Sequence, residues 1–347
     1  MEELVFELSG EHGTLPKSEV IAAVETYGWT YRITGDYDQL LILETDADPV
    51  VLAQRLALTH NILRLLFLCP ADEAEIITHA ETADLGLCQG QTFVVRVCRV
   101  KNYGPITASF EKKLGAVIWH RGYQVSLTEP DVVLRAVITE DVCAFGTLLC
   151  PVNRQAFDER APLNKPFFLP GVLMPRIARA VVNMSHIRKG WLLDPFAGTG
   201  GLLVEAGLIR KDIHVVGCDI QKKMVHGMRM NYRFYGINYD VIRGDSLRLG
   251  IRDNAVDAIV TDFPYGQSTP IAVAAGADFY KGALAEMYRV LKPGRRAVVV
   301  SKEPIEKLLT DVGFTVIETH RQRIHKSLTR QLTVAEKLPD KGIRKGI

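Results

Sequence analysis

Leu192-Leu193-Asp194-Pro195-Phe196-Ala197-Gly198-Thr199-Gly200-Gly201 is the stretch that decides the fold. A short apolar strand runs into an acid, a proline and a glycine-rich turn, and a helix follows. Glycines at such a turn let the backbone pass close to a ligand. Further apolar runs follow at Val215-Val216-Gly217-Cys218, Val241-Ile242, Ala258-Ile259-Val260 and Ala297-Val298-Val299-Val300, with helix-like segments between most of them. Strand and helix alternating in this way predict a doubly wound α/β domain over 171–338. No internal repeat is visible.

The acids of this domain recur at strand ends. Asp219, with Ile220 beside it, closes the second strand, where a carboxylate can hold both ribose hydroxyls of a nucleoside cofactor. Asp245-Ser246, after the next strand, can reach an adenine edge. A dinucleotide fingerprint wants a third glycine at 203, where Leu203 stands, and no Gly-Lys-Ser/Thr phosphate loop occurs. Asp194 suits a cationic ligand, such as the amino group or sulfonium of S-adenosylmethionine. The plainer reading is a turn that merely packs tightly.

After the fourth strand comes Asp262-Phe263-Pro264-Tyr265-Gly266. The Asp262 carboxylate and the Phe263 carbonyl can each accept a hydrogen bond from one amino group. Pro264 holds Phe263 extended. Tyr265 offers a face for a planar base. The group reads as a clamp for an NH2 on an aromatic ring, or more simply as a proline turn at a strand end.

Working toward the N-terminus, four prolines (151, 162, 166, 170) among charged residues make 151–170 a linker. Residues 69–150 carry a helix near 71–84, a strand from Thr92, a helix from about Ser109 to Arg121, and strands near 132–138 and 142–149. Residues 1–68 follow the order βαββαβ, which predicts a ferredoxin-like α+β module. The residues after 338 read as a frayed tail.

The 347 residues leave room for two or three domains, and 47% apolar with 24% charged is ordinary for a globular chain. No apolar run has the length of a membrane span, and the start lacks a signal-peptide pattern. Six cysteines and nine histidines form no Cys-x-x-Cys, His-x-x-x-His or mixed cluster. No metal site is therefore expected, and a reducing cytoplasm is the simplest setting. Net charge is only +2, but Arg96, Arg99, Lys101, Lys112 and Lys113 gather in one region, and Lys326 and Arg330 in another. Such patches are solvated faces or contacts to RNA phosphates.

The motif at 194–201, Asp219, Asp245 and 262–266 resemble those of class I S-adenosylmethionine-dependent methyltransferases that alkylate exocyclic amines. Phe167-Phe168-Leu169-Pro170-Gly171, with Met174, Pro175, Ala178, Arg179 and Asn183, resembles the segment before the first motif in THUMP-containing RNA methyltransferases. His325-Lys326-Ser327-Leu328-Thr329-Arg330 resembles the C-terminal strand of tRNA guanine-N2 enzymes. The chain as a whole is most similar to the archaeal-type tRNA (guanine-10-N2) methyltransferases.

That resemblance implies a Rossmann-like catalytic domain over 171–338, a THUMP module at 69–150 and tRNA as substrate. It implies S-adenosyl-L-methionine held by Pro170, Asp194, Pro195, Phe196, Ala197, Gly198, Gly200, Gly201, Asp219, Ile220, Asp245 and Ser246. Asp262, Phe263, Pro264 and Tyr265 would be the catalytic loop. A small zinc-containing activator subunit is a further partner among such enzymes. Other targets with the same chemistry are another tRNA or ribosomal guanosine, or adenine N6 in DNA. A rival of another class is a non-catalytic RNA-binding paralogue. The family pattern is Asp/Asn-Pro-Pro-aromatic, and Phe263 departs from it. The expected consequence is a less rigid loop, or an extra apolar contact with base or cofactor.

Overall fold

A computed structural model describes residues 1–264, 270–325 and 328–339. The chain divides into two compact units, Met1–Val20 with Gly28–Asn153, and Ile21–Tyr27 with Arg154–Ile347.

The N-terminal half begins β1 (Glu2–Leu8), α1 (Leu15–Tyr27), β2 (Tyr31–Tyr37), β3 (Leu40–Thr45), α2 (Pro49–Arg55), β4 (Thr59–Pro70). Helix α2 starts where the side chain of Asp48 accepts from the backbone N–H of Val50 (2.8 Å) and Val51 (3.3 Å). Pro49 at the first helical position has no N–H to satisfy. These strands pair antiparallel in the order β2-β3-β1-β4, the ferredoxin-like arrangement expected.

The sheet does not stop there. Then come α3 (Glu73–Thr82), β5 (Thr92–Arg99), α4 (Phe110–His120), β6 (Gln124–Val125), β7 (Val132–Thr139) and β8 (Val142–Pro151). They extend it to β2-β3-β1-β4-β8-β7-β5-β6. Strand β4 is twelve residues long. Its Thr59–Arg64 part pairs with β1 and its Asn61–Pro70 part with β8. The boundary expected at 68/69 thus falls inside a strand that both halves share. Phe93, Phe110, Leu114, Ile118, Leu134 and Phe145 form the core under α3 and α4.

The second unit contains α5 (Gln155–Glu159), α6 (Pro175–Met184), β9 (Gly190–Asp194), α7 (Gly201–Gly207), β10 (Ile213–Asp219), α8 (Lys222–Tyr235) and β11 (Tyr239–Arg243). It continues with β12 (Ala258–Asp262), α9 (Pro270–Val290), β13 (Arg295–Ser301), α10 (Glu306–Asp311), β14 (Thr315–His325) and β15 (Leu328–Lys337). The sheet runs β11-β10-β9-β12-β13-β15-β14, parallel up to β13. Strand β15 enters antiparallel between β13 and β14. Leu192, Leu193, Ala258–Val260 and Ala297–Val300 are all buried, as central parallel strands between helices should be. Strand order reverses between β9 and β12, so a crevice opens at their C-terminal ends.

Two expectations change here. The segment 151–170 is no bare linker: it carries α5 and a short 3-10 turn at Pro162–Asn164. The 325–330 motif is not one strand: His325 ends β14, Leu328 opens β15, and these two residues are partners in the antiparallel pairing of the strands. No helix among the described residues is long and apolar enough to cross a membrane.

Candidate active site

Four acids stand at the crevice: Asp194, Asp219 and Asp262 at the ends of β9, β10 and β12, and Asp245 after β11. They border a cleft of about 360 Å³, walled by 169–173 and by Phe196, Met224, Leu247 and Phe279. Every described residue expected at the cofactor lines this cleft except Gly200. Gly200 has φ +79, and a Cβ there would meet the Tyr232 ring at 2.5 Å. Its task is to let α7 start against Tyr232.

Asp194 is 2% exposed. Its Oδ1 accepts from the Phe196 N–H (3.0 Å) and the Thr261 hydroxyl (2.8 Å). Burial nevertheless pushes the carboxyl up to about 8, and the nearby charges of Asp262 and Asp219 add to the rise. Asp219 spans the turn, accepting from the N–H of Gly198 (3.1 Å) and of Gln221 (2.8 Å). Burial raises its carboxyl as well. The Asp245 carboxylate accepts from the Leu247 N–H (2.9 Å), which fixes it at the rim. Among the described residues, no lysine, arginine or histidine lines the cleft. Acids held together without a cation fit a ligand that brings its own positive charge, as S-adenosylmethionine does.

Phe263 lines the cleft from within the protein core. Its ring is 1% exposed and belongs to the core of the sheet domain. It packs edge-on to Phe196 (centroids 5.2 Å, 83°) and against Tyr280 (5.1 Å). So little exposed ring leaves no face for a base. The Phe263 N–H donates to the Val300 carbonyl (2.8 Å), and the Tyr280 hydroxyl donates to the Pro264 carbonyl (2.9 Å). Stiffness that a second proline would supply comes instead from packing and these two bonds. Tyr265 lies outside the described residues.

The segment before the first motif is tied down more firmly than its prolines suggested. Asn231 of α8 accepts from the Phe167 N–H (3.0 Å) and donates to the carbonyls of Phe167 (2.7 Å) and Thr199 (2.8 Å). Glu205 of α7 holds Arg160 through two bonds (2.8 and 3.0 Å) and Arg179 through a third (3.1 Å).

Most of the basic residues expected at RNA are otherwise engaged. Arg99 donates to the carbonyls of Asn102, Tyr103, Gly104 and Ile106, so it braces its own loop. Arg330 is 5% exposed and donates to the Gly171 carbonyl (2.5 Å), so it holds the cleft wall rather than solvent-facing phosphate. Arg96 pairs with Glu111 (3.3 Å), Lys101 with Asp38 (2.7 Å) and Lys113 with Glu73 (2.9 Å). Lys112 is exposed with no ion pair among the described residues. Lys326 lies outside them. No group of three metal-binding side chains occurs among the described residues.

Comparison with known proteins agrees with this geometry. Residues 162–331 match the RMKL-like methyltransferase domain family. The tRNA (guanine(10)-N2)-dimethyltransferase of Methanothermobacter thermautotrophicus is 32% identical, over 97% of this chain and 100% of that one. The enzyme of the same name from Pyrococcus abyssi is 32% identical, over 93% and 97%. The crystal structure of TrmN from Thermus thermophilus superposes with a TM-score of 0.55 at 21% identity, over 97% of this chain and 100% of that one, which shows the shared fold. S-adenosyl-L-methionine is the cofactor. Matched from end to end at this identity, the chain belongs to the tRNA (guanine(10)-N2)-dimethyltransferase family of class I methyltransferases.

Proposed function

We propose that this chain methylates the exocyclic N2 of a tRNA guanosine, with guanosine 10 as the target and up to two methyls added. The observation that carries the proposal is the Asp262 strand end beside a cation-seeking cofactor cleft, in a chain collinear with the guanine(10)-N2 enzymes.

The cofactor supplies an electrophilic methyl group. Asp219 would hold its ribose hydroxyls, and Asp245 and Ser246 its adenine edge. Asp194 would face its positive charge, while Pro170, Pro195, Phe196, Ala197, Gly198, Gly201 and Ile220 wall it from water. The guanine amino group is a poor nucleophile because its lone pair is delocalised into the ring. Asp262 and the Phe263 carbonyl accept its two N–H bonds, which favours a pyramidal nitrogen and aims the lone pair. Alignment of this kind supplies much of the rate. Asp262 takes the proton that the nitrogen must lose. Tyr265 would stack on the base, which has to leave its helix to reach the cleft.

On this reading β1 to β4 form the ferredoxin-like module and β5 to β8 the THUMP module, with 151–170 leading to the catalytic domain. Their free cysteines suit a reducing compartment, the cytoplasm. A small zinc-containing activator would be a second partner, and turnover by the purified chain alone would remove the need for one.

Exposed cations available to RNA phosphates include Lys112 and, in the second unit, Lys222, Lys223 and Arg229 on the exposed face of α8. Helix α8 contains no acid at all. Replacing Lys222, Lys223 and Arg229 by glutamine should flatten the slope of log affinity against log salt by about 2 to 3. Filter binding at several salt concentrations measures this, and an unchanged slope removes α8 from the RNA surface.

Incubation with labelled S-adenosylmethionine and unmodified tRNA transcripts, followed by mass spectrometry, tests the function itself. Label on N2 of guanosine 10 is the expected outcome. Label on another nucleotide, or on adenine N6, overturns the assignment.

A further inference from the structure

The cofactor is a zwitterion with an extra positive charge on sulfur. Its sulfonium and amino group suit the acidic cleft, Asp194 above all, but its methionyl carboxylate does not. A carboxylate placed among carboxylates, away from water and without a cation, is strongly disfavoured. The cleft lining offers that group no lysine, arginine or histidine among the described residues.

A cation lies one layer behind the lining. Lys165, at the end of the Pro162–Asn164 turn, is 7% exposed. It makes no ion pair or side-chain hydrogen bond among the described residues. The acid whose charge acts on it, Glu205, gives its oxygens to Arg160 and Arg179. One carboxylate there faces three cations, and burial lowers the affinity of the Lys165 amine for its proton. An ammonium on so largely buried a side chain, with no anion of its own close by, is disfavoured.

Gly201 connects this ammonium to the cleft. It opens α7 and lines the cofactor site. Its φ is not in the left-handed region, so the backbone does not demand glycine there. The sole atom within 4 Å of where its Cβ would stand is the Nζ of Lys165, at 3.6 Å. Glycine therefore brings no packing gain, and it costs helix stability relative to alanine. Its missing Cβ leaves bare backbone beside the Lys165 ammonium, on a residue that lines the cleft.

We propose that Lys165 is the counter-ion of the cofactor's carboxylate, reached over the bare backbone of Gly201. Lys165 is then a specificity-determining residue: it selects a ligand that carries both charges of an amino acid. The competing account is that Lys165 only balances Glu205 and packs its stem beside α7.

Calorimetry with two ligands separates these accounts. S-adenosylmethionine carries the carboxylate; its decarboxylated form, an aminopropyl sulfonium, keeps both cations and lacks the anion. The unmodified protein is expected to bind the first about 10- to 100-fold tighter, as a charge-assisted bond implies. Lys165→Met should bring that ratio to within about 3-fold by weakening only the first ligand. Gly201→Ala should narrow the ratio in the same way while its melting temperature stays level or rises. Equal weakening of both ligands by Lys165→Met, or an unchanged ratio, overturns the proposal. If Lys165→Met does not fold, Gly201→Ala and Lys165→Arg read the same ratio, and Lys165→Arg should preserve it. No RNA enters the measurement, so its outcome stands apart from that of the tRNA assay.

Discussion

Alanine at Asp262 should lower single-turnover methyl transfer by about 10³-fold or more, since both orientation and proton acceptance rest on that carboxylate. Cofactor affinity should stay within about 3-fold, because the proposed mechanism gives Asp262 to the substrate amine and not to the cofactor, and Asp262 is not buried in the core. Asparagine at the same place keeps an acceptor for the amino N–H and loses only the base. Its deficit should be smaller, about 10- to 100-fold. Rapid-quench assays at saturating cofactor, with calorimetry on each variant, separate the two effects. Near-normal turnover by Asp262→Ala would remove the clamp from the mechanism.

Asp194→Asn should have the opposite pairing of effects: cofactor binding falls about 100-fold or more, while the cofactor-free protein becomes more stable in alkali. In the unfolded chain this carboxyl has an ordinary value near 3.9. In the folded chain burial holds it at about 8. Between about pH 4 and 8 the folded state therefore binds the extra proton, and stability falls as pH rises through that window. Above pH 8 the full penalty is present. A rise of about four units corresponds to at most about 6 kcal/mol, of which relaxation leaves a fraction. Asparagine can accept from Phe196 and Thr261 as the aspartate does, and it carries no charge to desolvate. Melting temperatures of variant and parent should coincide near pH 4 and separate by roughly 5 to 10 °C at pH 8.5, with the variant higher. A constant difference across that range would mean that Asp194 is not the group held protonated.

The catalytic architecture was legible because its signals are local. Each parallel strand is a short apolar run, and three of the four acids stand where such a run stops. Asp194, Asp219 and Asp262 can be found this way without knowing what they touch. Features that depend on a distant partner were not legible. Arg99 and Arg330 look like surface charges in the sequence, and only the fold shows their guanidinium groups spent on carbonyls. Gly200 stands in the motif beside glycines that meet the ligand, yet its need for glycine comes from Tyr232 thirty-two positions on. The four prolines of 151–170 argued for a linker, while Glu205 and Asn231 supply the polar anchors that fold this segment. Phe263 shows the limit from the other side. The motif assigns position 263 a carbonyl, and nothing in it says where a ring would go. The hydrophobic space between Phe196 and Tyr280 decides that.

The bond from Arg330 to the Gly171 carbonyl has a consequence for synthesis. Residues 194–262 hold every acid of the site, and all of them leave the ribosome well before β15 does. Until β15 pairs between β13 and β14, the 169–173 wall lacks its bond from Arg330. A chain that has already made all four acids but not yet β15 thus carries its cofactor-binding side chains beside a wall still untied at Gly171.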